Sequence, residues 1–371
     1  MPTKTELVSG FSLNDGELRA DMGHACGILA WHFAAFSLLY ALYRRFNISS
    51  FEAVANDESV RLRRPHEDAP APHLRLAGEP KRAEQPFARV LLRAGRPRQW
   101  SKNLLVLAAP CAAGVIDRPL VAAQVLGAFV VLCLLSSATY LVNDVRDLEQ
   151  DRLHPRKSAR PVAAGELSPR TALRAAVVLA LVGIAAATAI TPGLGAVAVG
   201  YLALTGSYSL LWRRVVVVDI LAIAAGFVLR ALAGGVATDI YLSRWFVIVT
   251  GSCAIFLVAA KRYAELREHV GPGPVRATLR RYSTASLRLM LLAAATVGGV
   301  AYVSWAFTRP AHVAWYALSI APFLLWLARY GALVGAGAGQ APEELILRDR
   351  MLLALSIAWA LLFLGGVYVG R

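Results

Sequence analysis

The sequence has few charged residues and few cysteines. Charged side chains make up only 17% of its 371 residues, whereas hydrophobic side chains make up 57%. A soluble domain carries about a quarter of charged residues, so this composition argues against a soluble protein and predicts a polytopic membrane protein. The four cysteines lie in or beside apolar runs, without a spacing typical of metal sites, and we expect no disulfides among them.

Several binding motifs are also missing. There is no GxxxxGKS loop and no GxGxxG segment after a strand, so an ATPase or a dinucleotide enzyme has no support. The net charge is +15, yet no basic surface interleaved with aromatic residues is visible, and we expect no nucleic-acid partner. The bases cluster in polar stretches between apolar runs, as in cytoplasmic loops that meet anionic ligands and membrane lipids.

The N-terminal stretch 1–90 differs in composition from the rest. Residues 25–43 form an apolar run that predicts either an extra membrane helix or an interfacial anchor. Residues 46–90 are rich in Pro, Arg and Glu, which indicates a flexible linker. No basic n-region precedes the apolar run and no A-x-A-like site follows it, so a cleaved signal peptide is not expected. The membrane domain is predicted over 91–371.

Apolar runs in this domain predict about nine transmembrane helices and therefore an all-α fold. They are Leu104–Ile116, Val121–Val142, Thr171–Ile190, Leu194–Trp212, Val215–Ala233, Trp245–Ala260, Leu287–Phe307, Val313–Ala328 and Met351–Val369. The first is short for a span of about 20 residues. Base-rich connections alternate with base-poor ones, which predicts that every second connection is cytoplasmic.

A polar stretch, Asn143–Asp151, closes the second apolar run. On a helix of about 100° per residue, Asn143, Asp144, Asp147 and Asp151 lie on one face, with basic residues following in a block. Carboxylate and amide oxygens are the ligands that hard divalent cations prefer, so the pattern predicts a metal site. The alternative is a solvated loop whose acids pair with nearby arginines.

A second polar stretch begins at Lys261 and lies on the same predicted membrane face. Lys261, Glu265 and Glu268 share one helical face, with Arg262 toward its edge. A set of carboxylates opposite a set of cations suits a substrate that carries several phosphates and bound Mg²⁺. The alternative is an ordinary cytoplasmic loop in which i,i+4 pairs stabilise a helix.

Smaller polar sets lie near these stretches. The stretch Arg96–Asn103, which includes Lys102, predicts either a phosphate site or an interfacial anchor. Tyr208, Arg213 and Arg214 are candidates for a lipid phosphate, with an anchor as the alternative.

Two charged residues lie inside the fifth apolar run, and intramembrane charges are candidates for function. Asp219 is near the predicted cytoplasmic end and is expected to border a cavity there. Arg230 is near the outer end and is expected to reach the membrane surface or to pair with Asp239.

The NDxxDxxxD pattern in the first polar stretch resembles the first motif of the UbiA-type membrane transferase superfamily. Within it, the sequence is most similar to the decaprenyl-phosphate phosphoribosyltransferases, over about residues 90–370. The segments that carry this similarity are RPRQWSKNLLVLAAP (96–110), YLVNDVRDLEQDRLHPRKSARPVAAGELS (140–168), DILAIAAGFVLRALAGGVAT (219–238) and KRYAEL (261–266). Typical aromatic prenyltransferases of the superfamily carry a second aspartate-rich motif in the later loop, where this chain has Lys261, Arg262, Glu265 and Glu268.

The resemblance implies a UbiA-type helical bundle around a cytoplasm-facing cavity in the plasma membrane. The implied donor is 5-phosphoribosyl 1-diphosphate and the implied acceptor is decaprenyl phosphate or a similar polyprenyl phosphate. The product would be a precursor of arabinan in an actinobacterial cell envelope. Oligomeric state stays open, with a homo-oligomer among the alternatives. A prenyltransferase that uses an isoprenyl diphosphate, and a lipid transporter without catalysis, remain the competing functions.

The resemblance also implies a role for each polar set. Mg²⁺ would be held against the donor diphosphate by Asn143, Asp144, Asp147 and Asp151. The donor phosphates and ribose would be bound by Lys261, Arg262 and Glu265, with the first loop closing over them through Arg156, Lys157 and Arg160. The lipid phosphate would be held by Lys102, Tyr208, Arg213 and Arg214.

Overall fold

The computed structural model describes residues 86–212, 215, 217–268, 282–308, 313–339 and 341–369. Every regular element within these residues is helical, which confirms the predicted all-α fold. The apolar run 25–43, residues 46–85 of the predicted linker and the pair Arg213 and Arg214 lie outside the described residues. The end of that linker differs from the prediction, because a helix begins at Phe87.

Eight helices in the described part of the chain are long and apolar enough to cross a membrane. They are α4 (Pro119–Arg146), α6 (Pro169–Ile190), α7 (Pro192–Ser207, continued by a π-helix over Tyr208–Trp212), α8 (Val218–Ala237), α9 (Arg244–Glu268), α10 (Thr284–Phe307), α11 (Val313–Gly335) and α13 (Arg350–Tyr368). The short helices are α1 (Phe87–Ala94), α2 (Pro97–Trp100), a 3₁₀ helix (Ser101–Leu107), α3 (Ala108–Ala112), α5 (Leu148–Arg152) and α12 (Pro342–Arg348). The chain is therefore a multi-pass membrane protein.

The first predicted span, Leu104–Ile116, differs from the prediction because it is not one long helix. Its residues form part of the 3₁₀ helix, then α3, then a turn. The segment nevertheless runs from one end of α4 to the other. Arg96 contacts Asp144 in the last turn of α4, whereas Arg118 immediately precedes its first turn. Eight long helices and one interrupted segment thus replace the nine long helices that we expected.

Polar caps and prolines set several helix boundaries, including the one at Thr191-Pro192-Gly193 between α6 and α7. The Thr191 hydroxyl accepts the Leu194 N–H at 3.0 Å, and Pro192 occupies the first turn, where a missing N–H costs no helical hydrogen bond. Asp349 caps α13 in the same way, accepting the Leu352 N–H at 2.8 Å. Contacts join the end of one long helix to the start of the next, as between Tyr208 and Asp219, and Asp219 in turn meets Arg262 near the end of α9, so these helices alternate in direction.

Helix α8 is central, since it packs against α4, α7, α9 and the 3₁₀ helix. Gly234 makes the contact between α8 and the 3₁₀ helix possible. A Cβ atom at this position would lie 1.8 Å from the Val106 carbonyl oxygen, so two backbones approach where only glycine fits. One apolar core joins α8 to α4, α6 and α7, and another joins it to α9, α10, α11 and α13.

The alternating helix directions gather both polar stretches at one end of the bundle, which we call the polar end. It contains the last turns of α4, α7, α9 and α11 and the first turns of α6, α8, α10 and α13. Asn143–Asp151 and Lys261–Glu265 both lie there, as the spacing of the spans predicts. Two stretches that are more than a hundred residues apart in sequence are therefore close to the same membrane face.

Candidate active site

The stretch Asn143–Asp151 is helical at both ends but is broken in the middle. Helix α4 ends at Arg146, Asp147 has φ −93° and ψ 12°, and α5 begins at Leu148. Backbone hydrogen bonds still cross the break, from the Asp147 N–H to Asn143 and from the Asp151 N–H to Asp147, both at 2.9 Å. The single straight helix assumed from the sequence is therefore replaced by two helices that meet at Asp147, with hydrogen bonds of helical spacing across the junction.

Asp144 and Asp151 are the two buried carboxylates of this stretch, each only 2% exposed. Arg160 joins them, because its Nη1 lies 3.3 Å from Asp144 Oδ1 and 2.5 Å from Asp151 Oδ2. Arg96 donates a second hydrogen bond to Asp144 Oδ1, and Lys157 Nζ lies 4.0 Å from Asp151 Oδ1. The acids thus pair with arginines, as the alternative interpretation proposed, but they do so in a buried cluster rather than in a solvated loop.

The other predicted members of this set are less buried. Asp147 keeps 18% of its side chain exposed and lies 3.4 Å from the Arg146 guanidinium. Asn143 is half-buried and Arg156 is exposed. In the described part of the chain, no group of three or more Asp, Glu, His or Cys side chains converges as a metal site. The metal cage with four protein ligands therefore stays a prediction.

One atom in the buried cluster fits a metal ion. Asp144 Oδ2 is buried and has no hydrogen-bond partner among the described residues. Leaving a carboxylate oxygen buried and unpaired is costly, so such an atom points to a missing ligand. Mg²⁺ in proteins is commonly bound by one or two carboxylates together with substrate phosphates. Asp144 and Asp151 therefore fit a Mg²⁺ ion that shares its ligands with a diphosphate.

Arg96 is a member of this cluster that sequence reasoning did not select. Its backbone has φ 55° and ψ 65°, a left-handed conformation that costs a non-glycine residue about 1–2 kcal/mol. The guanidinium lies 4.9 Å from the centre of the Tyr140 ring, one turn before Asp144 on α4. The only sequence signal was the basic stretch Arg96–Asn103, because a pairing across 48 residues cannot be inferred from spacing. Lys102, from the same stretch, is half-buried on the 3₁₀ helix.

A second buried cluster lies at the start of α8. Arg262 binds Asp219 through two hydrogen bonds, Nε to Oδ2 at 2.8 Å and Nη2 to Oδ1 at 3.1 Å. Its Nη1 donates to Glu265 Oε2 at 2.8 Å, and the Tyr208 hydroxyl donates to Asp219 Oδ1 at 2.6 Å. Asp219 is thus buried in an ion pair. The guanidinium of Arg262 is hydrogen-bonded to both carboxylates of this cluster, those of Asp219 and Glu265.

Other residues of the second stretch surround this cluster. Lys261 is exposed, next to the buried Arg262. The Tyr282 hydroxyl accepts the Val217 N–H at 3.1 Å, and burial raises the pKa of Tyr282 above its usual value, so the phenol stays protonated. Residues 269–281 lie outside the described residues.

Direct contacts connect the helices that carry the two clusters. Helix α4 bears Asp144 and packs against α7, which leads to Tyr208, and against α8, which bears Asp219. The hydroxyls of Thr139 and Thr205 lie 3.4 Å apart, between α4 and α7. The predicted pair of facing polar stretches therefore corresponds to two clusters on adjoining helices.

The prediction for Arg230 is wrong. Arg230 is only 8% exposed and neither reaches the surface nor pairs with Asp239. Its guanidinium donates to Asn103 Oδ1 at 2.9 Å, to the Tyr201 hydroxyl at 2.7 Å and to the Gly226 carbonyl at 2.7 Å. It also lies 4.9 Å from the centre of the Tyr201 ring. Arg230 therefore links α8 to α7 and to the 3₁₀ helix inside the bundle.

Comparison with known proteins adds to this geometry. The sequence profile of the UbiA prenyltransferase family matches residues 104–356, which include both clusters apart from Arg96. The chain belongs to the UbiA family. This UbiA-family chain is 44% identical, over 276 residues, to the decaprenyl-phosphate phosphoribosyltransferase of Mycobacterium tuberculosis, covering 72% of this chain and 91% of the relative. It is 40% identical to the protein of the same name from Corynebacterium glutamicum, over 309 residues, with coverage of 80% and 93%.

A solved structure shows the same fold. A UbiA homologue from Archaeoglobus fulgidus, bound to DMAPP and Mg²⁺, superposes on this chain with a TM-score of 0.58. The two are 17% identical, and the match covers 75% of this chain and 99% of the homologue. At this identity the likeness establishes the UbiA-type bundle and leaves the substrate to be argued from the residues.

Proposed function

We propose that this protein transfers the 5-phosphoribosyl group from 5-phosphoribosyl 1-diphosphate to a polyprenyl phosphate such as decaprenyl phosphate. The products are polyprenylphosphoryl-5-phosphoribose, an arabinan precursor, and diphosphate. The relatives that share about two fifths of its sequence carry the name of this activity. The observation that carries the choice of donor is the second cluster. It contains the cations Arg262 and Lys261 where prenyltransferases of the superfamily carry aspartates, which suits a donor with an additional phosphate.

The first cluster would bind the diphosphate end of the donor. Asp144 and Asp151 would hold Mg²⁺ together with Asn143 and Asp147. When bound, Mg²⁺ would neutralise the charge that develops on the diphosphate as it leaves. Hydrogen bonds to the diphosphate oxygens would come from Arg160, from Lys157 and Arg156 on the same connection, and from Arg96. Guanidinium groups suit this role because they bind phosphates through paired hydrogen bonds.

The second cluster would orient the ribose end of the donor. Lys261 is exposed and would meet the 5-phosphate, while Arg262 is fixed by Asp219 and Glu265 and would present a rigid positive charge beside it. Glu265 keeps 23% of its side chain exposed and would accept a hydrogen bond from a ribose hydroxyl. The spacing of these groups along α9 would select a phosphorylated pentose over an apolar prenyl chain.

The acceptor requires no strong base. One oxygen of the lipid phosphate, already anionic near neutral pH, forms the new bond to C1 of the ribose. The bond from C1 to the diphosphate breaks at the same centre, and its electron pair leaves with the diphosphate. Lys102, Tyr208, Arg213 and Arg214 are the groups that we propose for the lipid phosphate.

We also propose that the polar end faces the cytoplasm at the plasma membrane, because the base-rich connections gather there and the donor is soluble. The transferase domain would correspond to 91–371, with 1–90 as an accessory extension. Because the polar end would face the cytoplasm, reagents that cannot cross the membrane should label an exposed position such as Arg156→Cys only from the cytoplasmic side. Labelling from the outside of sealed cells would contradict this orientation.

A donor competition assay tests the proposed function. Purified protein in lipid vesicles receives Mg²⁺, polyprenyl phosphate and either labelled 5-phosphoribosyl 1-diphosphate or labelled isoprenyl diphosphate. We expect a labelled lipid only with the phosphoribosyl donor. A labelled product from the isoprenyl donor alone would establish the prenyltransferase alternative, and no labelled lipid from either donor with folded protein would refute the transfer reaction.

Substitutions in the same assay test the metal ligands. Asp144→Asn and Asp151→Asn should each lower kcat by at least about 100-fold, because each removes a carboxylate that would hold the Mg²⁺ needed to neutralise the leaving diphosphate. Asp147→Ala tests the third carboxylate, and full activity would remove Asp147 from the metal site. The matched control is Asp349→Asn, which alters another aspartate paired with an arginine, Arg329, at the same end of the bundle and should retain activity.

A further inference from the structure

The acids of the first cluster have cationic partners from the chain before any ligand binds. Asp144 and Asp151 are contacted by the guanidiniums of Arg96 and Arg160, and Lys157 lies 4.0 Å from Asp151. Arg160 is the link between the acids, since one nitrogen, Nη1, reaches both carboxylates. A positive charge of the chain therefore lies between the two carboxylates that a metal ion would share, while Asp144 Oδ2 has no hydrogen-bond partner among the described residues.

The two carboxylates and the Arg160 guanidinium differ in how rigidly the structure holds them. Asp144 and Asp151 are buried on α4 and α5, with side chains only 2% and 3% exposed. Arg160 lies in the connection between α5 and α6, and its side chain is 27% exposed. The long, partly exposed arginine can change partners at much lower cost than the helical carboxylates can move.

A dication and Arg160 compete for the same two carboxylates. Mg²⁺ lies about 2.1 Å from its oxygen ligands, so it would come within a few ångströms of a guanidinium bound to the same carboxylates. That contact between like charges is unfavourable in a buried site, where screening by water is weak. A diphosphate would change the balance, because its oxygens offer the guanidinium new anionic partners and the metal additional ligands.

We infer that Arg160 is a positioning residue that keeps divalent metal off Asp144 and Asp151 until a diphosphate is present. Metal and diphosphate then bind with positive coupling, and Arg160 transfers its hydrogen bonds from the carboxylates to the phosphate. This inference rests on the proposed function only in assuming that the site accepts a metal diphosphate. It adds that the protein does not hold the metal as a resident ion between turnovers.

The test measures metal binding without turnover. Mn²⁺, detected by electron paramagnetic resonance, is titrated into purified wild type with and without inorganic diphosphate, with correction for the complex that the two form in solution. We expect diphosphate to raise the affinity of wild type for Mn²⁺ by about tenfold or more, within the 5–150-fold range of typical coupling between ligands. Equal affinity in both conditions would overturn the inference without any variant.

Variants then assign the effect to Arg160. Arg160→Gln should bind Mn²⁺ alone about tenfold more tightly than wild type and should lose most of the coupling to diphosphate. Arg160→Lys retains the charge and should restore much of the coupling, which a merely structural role would not explain. Arg329→Gln, which removes an arginine from a different Asp pair, should match wild type.

The outcomes separate this inference from the proposed function. If Arg160→Gln leaves the affinity for Mn²⁺ alone unchanged or lowers it, Arg160 does not exclude the metal. If Arg160→Gln does not fold, the wild-type titration and Arg160→Lys still decide the question. Coupling in a protein that fails to use 5-phosphoribosyl 1-diphosphate would refute the proposed donor and leave the role of Arg160 intact.

Discussion

The ion pair between Asp219 and Arg262 allows stability and activity to be separated. Both side chains are nearly buried, with 3% and 7% exposed, and two hydrogen bonds of 2.8 and 3.1 Å join them. Removing one partner of a buried pair leaves the other charge without compensation and costs about 3–5 kcal/mol. Because Glu265 still contacts Arg262, we expect Asp219→Asn to lie near the lower limit, at about 3 kcal/mol.

Replacing both partners should have a different result. A buried ion pair exchanged for apolar residues of similar size is often neutral or stabilising, so Asp219→Leu with Arg262→Met should recover to within about 1 kcal/mol of wild type. Phosphoribosyl transfer should not recover, because the positive charge proposed to lie beside the 5-phosphate is absent. The double-mutant cycle therefore predicts regained stability without regained activity.

The assay is unfolding by SDS in mixed micelles, followed by tryptophan fluorescence, with transfer activity measured on the same preparations. Glu344→Gln is the control, since it breaks the pair between Glu344 and Arg348, whose side chains are 45% and 72% exposed. That change should cost less than about 1 kcal/mol. A loss below about 1 kcal/mol for Asp219→Asn would refute the structural role of the pair. A fully active double variant would exclude Arg262 from the donor site.

Three other substitutions test packing, the buried cation and a helix cap. Gly234→Ala should displace the 3₁₀ helix and lower both the Tm and activity, whereas Gly200→Ala, whose Cβ would meet no atom within 4 Å, should retain both. Arg230→Met should lower the free energy of unfolding by about 2 kcal/mol, because it leaves buried hydrogen-bonding groups unpaired, and a change below about 0.5 kcal/mol would contradict this. Arg329 holds the pKa of Asp349 below its usual range, so the stability that Asp349 contributes is present above about pH 4 and is lost as the pH falls through the lowered value. The Tm values of wild type and Asp349→Asn should therefore differ at pH 6 and converge below about pH 4, and a constant difference would contradict this assignment.

The long helices could be predicted because each apolar run must satisfy its own backbone hydrogen bonds within the membrane. The helix boundary at Thr191 and Pro192 could be predicted from the sequence, because a cap and a proline act within one turn of the helix. The 3₁₀ helix and α3, which together run from Ser101 to Ala112, could not be predicted from the sequence. Their shape depends on the approach of Val106 to Gly234, a contact between residues far apart in the chain.

In the candidate site, too, features that depend on neighbouring residues could be predicted, whereas contacts between residues far apart in the chain could not. The spacing of Asp144, Asp147 and Asp151 identified the acidic stretch, but it did not indicate that Arg160 would contact both Asp144 and Asp151. The pairing of Arg96 with Asp144 spans 48 residues and also requires a left-handed backbone at Arg96. No periodicity encodes such a contact, because it depends on how the helices dock.

The interrupted segment from Ser101 to Arg118 also determines which compartments the two ends of the domain meet. The segment covers the length of α4, so it adds one passage to the eight long helices found in the described residues. The total is then odd, and Phe87 and Tyr368 lie on opposite sides of the membrane. A reporter fused beside Tyr368 would sample the compartment opposite to the one that the polar end faces.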